Sequence, residues 1–433
     1  MLDARKFKVH VITMGCAKNV VDSERLMAQL QLGNVALAPT VEEADIALIN
    51  TCGFIEAAKV ESIDMIISNV KRKAKGRLKK VYAMGCLTER YRDDLMREIP
   101  ELDGVFGSAQ LKEVLAALGV EYKYELLGER RLTTPSHFAW LKISEGCDNP
   151  CSFCAIPLMR GKHVSVPMDQ VIAETRLLAL RGVKEVVVIG QDTTYYGLDT
   201  DGRRRLPDLL ENIAEVPGVE WVRLMYAYPA QFPMELLEVI ADHPKILPYL
   251  DMPVQHSSDR VLRSMRRGIT GRALRQLLAA IRERVPGIIL RTTIIVGYPT
   301  ETEEDFKDLL QFVCDEKFHR LGVFAYSRED GTTAYPLNDP VPAAEKERRR
   351  ALIMEAQQGI SLERNEGLIG SVQRVLIDRV ESGRYIGRTA ADAPEIDNEV
   401  YVHADRELNP GTFCDVEIMD ASEYDMYGRP VQL

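Results

Sequence analysis

The sequence has few of the residues that mark several common classes of protein. Its 433 residues include only eight cysteines, two tryptophans and seven histidines. Eight cysteines in a chain of this length fall far below the density of a secreted, disulfide-stabilised scaffold. No apolar run approaches the roughly 18 to 20 residues that span a bilayer, and charges at Asp3, Arg5, Lys6 and Lys8 are not typical of a signal peptide. The sequence therefore predicts a protein of the reducing cytoplasm without membrane association, where clustered cysteines more often bind metal or act in catalysis.

Positive charge is scarce overall and is distributed unevenly. The chain has 55 basic and 65 acidic side chains, a net charge of −10, which is not typical of a dedicated nucleic-acid binder. Residues 368–433 contain six arginines, no lysine and thirteen acidic residues, an excess of seven negative charges. Residues 71–80 (KRKAKGRLKK) are the opposite, with seven basic residues and no aromatic side chain for base stacking. This basic run is either a solvated helix end or loop, or a contact with RNA.

The hydrophobic pattern divides the α/β chain into three segments. Up to about residue 120, apolar strands alternate with helical patterns, which predicts a doubly wound parallel sheet. The middle segment has six β/α units and predicts a partial version of the eight-unit barrel, whose sites lie at the carboxyl ends of the strands. A charged helix is predicted at 343–365. Four short strands then predict a small antiparallel β barrel, at 371–380, 384–389, 399–404 and 412–419.

The strongest local signal is a run of three cysteines in the sequence SEGCDNPCSFCAIP, residues 144–157. Cys147, Cys151 and Cys154 are close enough in sequence for one loop to place three thiolates around a metal cluster. Thiolates suit iron–sulfur clusters or zinc, but a structural zinc ion requires a fourth ligand, and the next histidine, His163, lies nine residues on. Three ligands would leave one iron of a [4Fe–4S] cluster open. The alternatives are a zinc knuckle and three ordinary buried cysteines.

Three further cysteines occupy equivalent positions in the first segment. Cys16, Cys52 and Cys86 each follow an apolar strand closely and precede a helix. In a doubly wound sheet, ligands bind outside the carboxyl ends of the strands, so these three thiols can converge in one crevice, where three thiolates would suit a second metal cluster. The alternative is that they are small buried hydrophobic side chains. Cys314 and Cys414 lie in a helical and a strand pattern and are predicted to be packing residues.

The CxxxCxxC spacing, with an aromatic residue before the last cysteine, closely resembles the signature of the radical S-adenosylmethionine (SAM) superfamily. The resemblance implies that the open iron chelates the amino and carboxylate groups of SAM, which is cleaved reductively to a 5′-deoxyadenosyl radical. It also implies that residues 294–301 contact the adenine. Independently of the resemblance, Gln255 and His256 follow the fourth predicted strand of the barrel and face the site if the register holds, although a lone histidine is more often structural. The cofactor-binding residues expected are Phe153 near the adenine and Gly190, Gln191 and Asp192 near the methionyl group, from the resemblance, together with Gln255.

Further motifs resemble those of the methylthiotransferases, whose amino-terminal domain carries three cysteines for an auxiliary [4Fe–4S] cluster and whose tail is a TRAM domain. The closest resemblance is to RimO-type enzymes, which modify an aspartate of ribosomal protein S-twelve. The resemblance implies a methylthiotransferase domain at 6–122, a radical SAM core at 133–364 and a TRAM-like domain at 366–433. The motifs are MGCAKNVVDSE (14–24), NTCGFIEAAKVES (50–62), SEGCDNPCSFCAIP (144–157) and FAYSREDGTTA (324–334).

By the same resemblance, one SAM methylates a sulfur held at the auxiliary cluster, and a second SAM gives the radical that takes a hydrogen from the aspartate β-carbon. The carbon radical then captures the methylthio group. Two [4Fe–4S] clusters, SAM, an electron donor protein, a sulfur donor and ribosomal protein S-twelve, on or near the small ribosomal subunit, are therefore expected. The acidic tail favours a basic protein substrate, unless it is only a solvated surface. The alternatives are methylthiolation of a tRNA adenosine and a non-catalytic iron–sulfur scaffold that binds the ribosome.

Overall fold

In the computed structural model, which describes residues 7–124 and 128–431, the first domain is a parallel sheet covered by helices. The strand order is β2-β1-β3-β4-β5, and every neighbouring pair is parallel. This doubly wound order confirms the predicted fold class and makes the carboxyl ends of β1 and β3 the expected place for a ligand. The elements are β1 (Lys8–Thr13), α1 (Ala17–Leu32), β2 (Ala36–Leu37), β3 (Ile46–Thr51), α2 (Glu56–Ala74), β4 (Lys80–Gly85), α3 (Cys86–Arg90), α4 (Arg92–Glu98), β5 (Gly104–Gly107) and α5 (Leu111–Ala117).

The strands of this sheet are apolar on both faces because helices cover both. Alternate residues of a strand point to opposite faces. Ile46 and Leu48 therefore pack with residues of α1 and α5, whereas Ala47 and Ile49 pack with residues of α2 and α4. The continuous apolar sequence of β3 follows from this two-sided burial.

The middle domain is an open parallel sheet of six strands in the order β6-β9-β10-β11-β12-β13, which confirms the predicted partial barrel. The fourth strand is Ile246–Asp251. It ends before Pro253, which has no N–H for the ladder, and the irregular pairing of β10 with β11 accommodates Pro248. The elements are β6 (Phe138–Lys142), β7 (Ser144–Glu145), α6 (Ile156–Arg160), β8 (Val164–Ser165), α7 (Met168–Leu180), β9 (Glu185–Ile189), α8 (Leu198–Asp201), α9 (Leu206–Ala214), β10 (Trp221–Leu224), α10 (Glu235–Asp242), β11 (Ile246–Asp251), α11 (Asp259–Ser264), α12 (Gly271–Arg284), β12 (Ile289–Val296), α13 (Glu303–Glu316), β13 (Arg320–Ala325) and α14 (Ala343–Glu366).

The tail forms a closed barrel in the order β14-β15-β16-β18-β17. The predicted small barrel is confirmed, with a fifth strand that the sequence reading did not include and with one parallel pair, β16 with β18. Gly428 and Pro430 fall inside that fifth strand and interrupt its pattern. The strands are β14 (Val372–Glu381), β15 (Arg384–Arg388), β16 (Glu399–Val402), β17 (Phe413–Ala421) and β18 (Asp425–Pro430). Residue 6 and residues 432–433, where two of the predicted domain limits fall, lie outside the described residues.

The inner face of the six-stranded sheet joins the three domains. Trp140, Val187 and Tyr249 on this face pack with Val21 of α1 and with Leu376 of the tail barrel.

Charged groups are buried at the same junction. Glu185 accepts a hydrogen bond from Arg223 at 2.8 Å and pairs with Arg388 of the tail at 2.7 Å. In addition, Arg320 pairs with Asp392, and His137 lies 2.7 Å from Asp378.

In the parts of the chain described, no helix is both long and apolar enough to cross a membrane.

Candidate metal and cofactor site

Cys16, Cys52 and Cys86, here called the first cysteine group, lie at one edge of the doubly wound sheet. Cys16 caps the start of α1, Cys52 follows β3 directly, and Cys86 follows β4 and begins α3. Because β1, β3 and β4 are neighbours in the sheet, their carboxyl ends meet at this edge. Gly15 has a φ of +88°, and a Cβ on it would lie 2.7 Å from the Cβ of Cys52. The glycine therefore lets the end of β3 approach the end of β1.

The first cysteine group is buried at one end and open at the other. Cys86 is buried, Cys52 is partly buried and Cys16 is exposed. Burial raises the pKa of the Cys86 thiol to about 12, an effect that the nearby Arg160 guanidinium opposes. Burial likewise raises the pKa of Cys52, and the neighbouring Cys16 adds to the shift. The three thiols thus share one electrostatic environment, and the group opens on the side of Cys16.

Cys147, Cys151 and Cys154, the second cysteine group, lie on the loop between β7 and α6. The Cys147 N–H donates to the Gly161 carbonyl at 3.1 Å and the Cys154 N–H to the Cys151 carbonyl at 3.2 Å, which fixes the loop. Burial raises the pKa of Cys147 to about 11 and that of Cys154 to about 12, and the charge of Cys151 adds to both shifts. These three thiols therefore lie near enough to influence one another electrostatically.

Each cysteine group receives one buried arginine. Arg160 Nε donates to Cys86 Sγ at 3.2 Å, and Arg267 Nη1 donates to Cys151 Sγ at 3.2 Å. The Arg267 guanidinium also lies over the ring of Tyr228, whose hydroxyl is 3.7 Å from Cys151 Sγ. A donated hydrogen bond and a positive charge both favour the thiolate, which is the form that binds metal.

Helix α6 physically connects the two cysteine groups. It begins two residues after Cys154 and ends at Arg160, which contacts Cys86. Ala155 and Met159 of the same short segment pack against Cys86 in a separate apolar cluster. The loop of the second group and the innermost thiol of the first are therefore held together by one rigid turn of helix.

Buried charges hold the two domains together beside this helix. Asp22 of α1 accepts from Lys142 and from Arg160, the latter at 2.7 Å. Glu145 accepts from Lys142 at 2.7 Å and from Arg160 at 3.3 Å. Burial alone would raise the pKa of Asp22, but Lys142 and Arg160 hold it at about 2. The carboxylates are therefore ionised and the contact is a charged one.

The strand end predicted to hold SAM's methionyl group lies beside the second cysteine group. Asp192 accepts from Asn149 of the cysteine loop at 2.7 Å and from the backbone and side chain of Thr194. Its carboxylate thus already supports the loop and the turn. Gln191 Nε2 donates to Glu145 at 3.0 Å. A Cβ on Gly190 would lie 2.7 Å from Ser144 Oγ, so glycine keeps this strand end open.

Phe153, predicted near the adenine, lies on the cysteine loop, and Gln255 lies just beyond the fourth strand and beside β12. Phe153 packs with Tyr298 and Ile295 in an apolar cluster. Gln255 has a φ of +73° and exchanges backbone hydrogen bonds with β12, through Thr293 and Ile295.

Two other residues singled out in the sequence play different parts. His256 Nδ1 accepts from the N–H groups of Ser257 and Ser258, so the ring supports its own loop. Cys414 is buried as expected, but Cys314 is exposed on α13, and the prediction that it packs is wrong.

The residues present fit a bound cluster and cofactor. Each group offers three thiols, and thiolates are the ligands that hold iron–sulfur clusters. Among the residues that the structure describes, Ser144 Oγ, Gln191 Oε1 and Gln255 Oε1 are buried without a hydrogen-bond partner, which is unusual unless a ligand supplies one.

Sequence reasoning missed the two arginines that contact the cysteines. Arg160 lies six residues after Cys154, and a basic residue so near a thiolate loop is a usable signal. Arg267 reaches Cys151 from beyond α11, more than 100 positions away in the chain, and its sequence neighbourhood contains no comparable signal.

Comparison with known proteins agrees with this geometry. Residues 8–107 match the profile of uncharacterized protein family UPF0004, residues 141–313 the Radical SAM superfamily and residues 369–431 the TRAM domain. The ribosomal protein uS12 methylthiotransferase RimO of Cytophaga hutchinsonii is 50% identical over 432 residues, 99% of each chain. The protein of the same name from Flavobacterium johnsoniae is 51% identical over 430 residues, 98% of each chain.

Among solved structures, the radical SAM methyltransferase TsrM of Kitasatospora setae has a TM-score of 0.57. It is 14% identical in sequence, and the match covers 85% of this chain and 78% of that one, so the likeness concerns the fold alone. Membership of the radical SAM superfamily implies SAM and a [4Fe–4S] cluster. With about 50% identity over nearly the whole length and all three domains matched, the chain belongs to the RimO family of radical SAM methylthiotransferases.

Proposed function

We propose that this chain inserts a methylthio group at the β-carbon of an aspartate in ribosomal protein uS12. The observation that carries the proposal is the pairing of two cysteine groups through α6, with Arg160 of that helix donating to Cys86. A protein with only one cluster site has no need of such a connection. The printed names of the full-length relatives supply the substrate and the reaction.

The second cysteine group would hold the [4Fe–4S] cluster whose open iron binds SAM, and the first would hold an auxiliary [4Fe–4S] cluster. When bound, these groups supply the radical and sulfur chemistry that substitution of an unactivated carbon–hydrogen bond requires. Phe153 would pack near the adenine of SAM. Gly190 and Gln191 would receive its methionyl end, and the unpartnered Gln255 amide oxygen would accept a hydrogen bond from it.

The remaining residues of the site would hold these groups in place rather than take part in the reaction. Asp192 anchors the cysteine loop through Asn149, so its effect on SAM would be partly indirect. Arg267 and Arg160 neutralise part of the charge of the thiolates that they contact. Lys142 ties Asp22 of the first domain to Glu145 of the middle domain and so closes the site on one side.

The tail barrel would face a basic partner. Part of the negative charge of the barrel is neutralised by buried ion pairs, since Asp392 and Asp397 pair with Arg320 and Arg291 of the middle domain. Four of its arginines are exposed, whereas seven acidic side chains are exposed: Glu381, Glu395, Asp405, Glu407, Asp415, Glu417 and Asp420. The surface excess is therefore smaller than the sequence count, but it keeps the sign that suits a basic ribosomal protein. An electron donor protein and a sulfur donor would complete the system. The enzyme would meet the target protein on or near the small ribosomal subunit.

Anaerobic reconstitution tests the proposal. The protein is supplied with iron, sulfide, SAM and a chemical reductant, and is incubated with isolated uS12, with small ribosomal subunits or with tRNA. We expect uS12 to gain the mass of one methylthio group in place of a hydrogen, at an aspartate. Methylthio groups found in tRNA and not in the protein would replace this function with the tRNA reaction. Absence of SAM cleavage under reduction would leave the non-catalytic scaffold.

A further inference from the structure

Lys18 is a buried lysine that none of the interactions described above explains. It lies in the first turn of α1, two residues after Cys16, and only 7% of its surface is exposed. Its ammonium lies 3.1 Å from the centroid of the Tyr226 ring, in the middle domain. Lys18 therefore reaches across the junction of the two domains.

The ammonium of Lys18 has no anionic partner within the described residues. It forms no ion pair and donates no hydrogen bond there, although the junction contains several carboxylates. Asp22 and Glu145 are paired with Lys142 and Arg160, and Asp192 accepts from Asn149 and Thr194. A buried charge is costly unless it is paired, and the face of an aromatic ring compensates only part of that cost. The position is suited to an anion that the chain does not itself provide.

Tyr226 is held firmly under this ammonium. Its φ is +62°, an unusual value for a bulky residue. The conformation is fixed because its N–H donates to Asp251 at 3.1 Å and its carbonyl accepts from the N–H of Thr193 at 3.0 Å. Two residues further on, Tyr228 contacts Cys151. The pair formed by Lys18 and Tyr226 is thus close in sequence to Cys16 on one side and to a contact of the second cysteine group on the other.

We propose that Lys18, presented on the Tyr226 ring, binds the side-chain carboxylate of the target aspartate. This inference rests on the proposed function and specifies how its substrate is recognised. The carboxylate is one bond from the β-carbon, so anchoring it fixes the reacting carbon at the junction of the two cysteine groups. A lysine–carboxylate contact is a strong, charge-assisted hydrogen bond. An adenine ring has no carboxylate, so this contact does not form with the base that the tRNA reaction modifies.

The competing explanation is that Lys18 only clamps α1 onto the middle domain through the Tyr226 ring. The two roles differ in their dependence on the substrate. A clamp affects every peptide equally, whereas a carboxylate-binding residue affects only a peptide that carries the carboxylate.

The test compares K18M, which removes the charge and keeps most of the length, with K18R, which keeps the charge. The control is K112M, because Lys112 also lies against tyrosine rings, 5.4 Å from Tyr122 and 4.7 Å from Tyr124, in the same domain. Each reconstituted protein is given a uS12 peptide with the target aspartate or with asparagine in its place. Peptide affinity is measured by fluorescence anisotropy, and iron content and SAM cleavage without peptide serve to normalise kcat/KM.

We expect K18M to lose about 10- to 100-fold in affinity and in kcat/KM for the aspartate peptide, mainly through KM. K18R should recover most of this loss, and K112M should match the unaltered protein. For the asparagine peptide, K18M and the unaltered protein should bind equally weakly, as a double-mutant cycle requires.

Equal losses on both peptides would overturn the inference in favour of the clamp, and so would an unchanged affinity of K18M for the aspartate peptide. If the unaltered protein modifies neither the peptide nor intact uS12, the proposed function fails instead, and the two failures are distinguishable in the same experiment.

Discussion

The two cysteine groups each combine three thiols with one arginine, but they are assembled differently along the chain. The second group lies on one loop within eight residues, whereas the first is assembled from three strand ends 36 and 34 positions apart. Each receives one arginine on one thiol. For the second group that arginine, Arg267, comes from the same domain, but for the first it is Arg160, which comes from the neighbouring domain.

The first cysteine group therefore depends on the middle domain for its arginine, whereas the arginine of the second cysteine group comes from its own domain. The second group keeps its loop hydrogen bonds and its arginine within the middle domain. The first lacks its innermost hydrogen-bond donor unless Arg160 is docked against Cys86. We therefore expect damage at the domain junction to affect the first group before the second.

The largest expected effect separates the two roles. C147A should abolish SAM cleavage, because the second group loses a ligand for the cluster that binds SAM. C52A should keep SAM cleavage and lose methylthio transfer, because only the auxiliary site is damaged. The measurements are 5′-deoxyadenosine formation and the mass of uS12. Equal loss of SAM cleavage in both variants would contradict this division.

The second largest effect is expected for R160M, which tests whether the first cysteine group depends on the middle domain. R160M removes the hydrogen-bond donor to Cys86 and one of the two cations that pair with Asp22 and Glu145, so the contact between the domains is weakened while Lys142 still holds both carboxylates. We expect the variant to retain roughly half of its iron, to cleave SAM and to transfer little sulfur, as shown by iron analysis and cluster spectroscopy.

R267M is the matched variant at the second group, since its arginine also donates to one thiol at 3.2 Å. It should weaken SAM cleavage and leave the iron of the first group in place. Loss of the same cluster in both variants would show that the two arginines are not specific to their groups.

A smaller effect is expected at the junction with the tail, which is docked on the domain of the second group. Burial alone would raise the pKa of Asp378, but the hydrogen bond from His137 and the charge of Arg388 lower it below its ordinary value of 3.8. The stabilisation is therefore complete above that value and is lost as the pH falls through the lower pKa of the folded protein.

Trp221 reports on this junction because the ring of Phe413 in the tail lies 4.8 Å from it. Its fluorescence should change on acidification below about pH 4, and D378N should make that part of the change smaller. An acid transition identical in both proteins would place the pH dependence elsewhere.

The smallest effect is expected from the basic run at residues 71–80. It precedes β4, so it lies at the end of the sheet opposite Cys86. Arg72, Lys73 and Lys79 already pair with Glu42, Asp103 and Asp45. Reversing the exposed Lys75 and Arg77 to glutamate should change methylthiolation of assembled small subunits by less than about twofold, since isolated surface charges contribute little. A larger loss would support contact with ribosomal RNA.

The parts of the fold that follow from local periodicity were predictable, and those that depend on long-range contacts were not. The strands before Cys16, Cys52 and Cys86 are apolar on both faces, which marks a buried parallel sheet and so places the three cysteines. The fifth strand of the tail barrel, by contrast, contains Gly428 and Pro430, and it forms because β16 and β17 supply its partners.

In the site, the spacing of the cysteines can be recognised in the sequence, but no sequence pattern marks Lys18 or Arg267. Their roles arise from Tyr226 and Cys151, which lie 208 and 116 positions away in the chain. A lysine in the first turn of a helix is ordinary in sequence. Only the packing of α1 on the middle domain makes it a buried charge against the Tyr226 ring.

Helix α6 has a consequence for the exchange of parts between relatives. Its five residues rise about 1.5 Å each, so it sets a spacing of about 7 Å between the end of the cysteine loop and the arginine that reaches Cys86. One inserted residue would rotate Arg160 by about 100° around the helix and turn it away from that thiol. A chimera that takes its first domain from one relative and its middle domain from another therefore has to keep the length of α6, together with Asn19 and Asp22, which receive Arg160. We therefore expect substitutions on the two sides of this junction to be coupled, although the two sides belong to different domains.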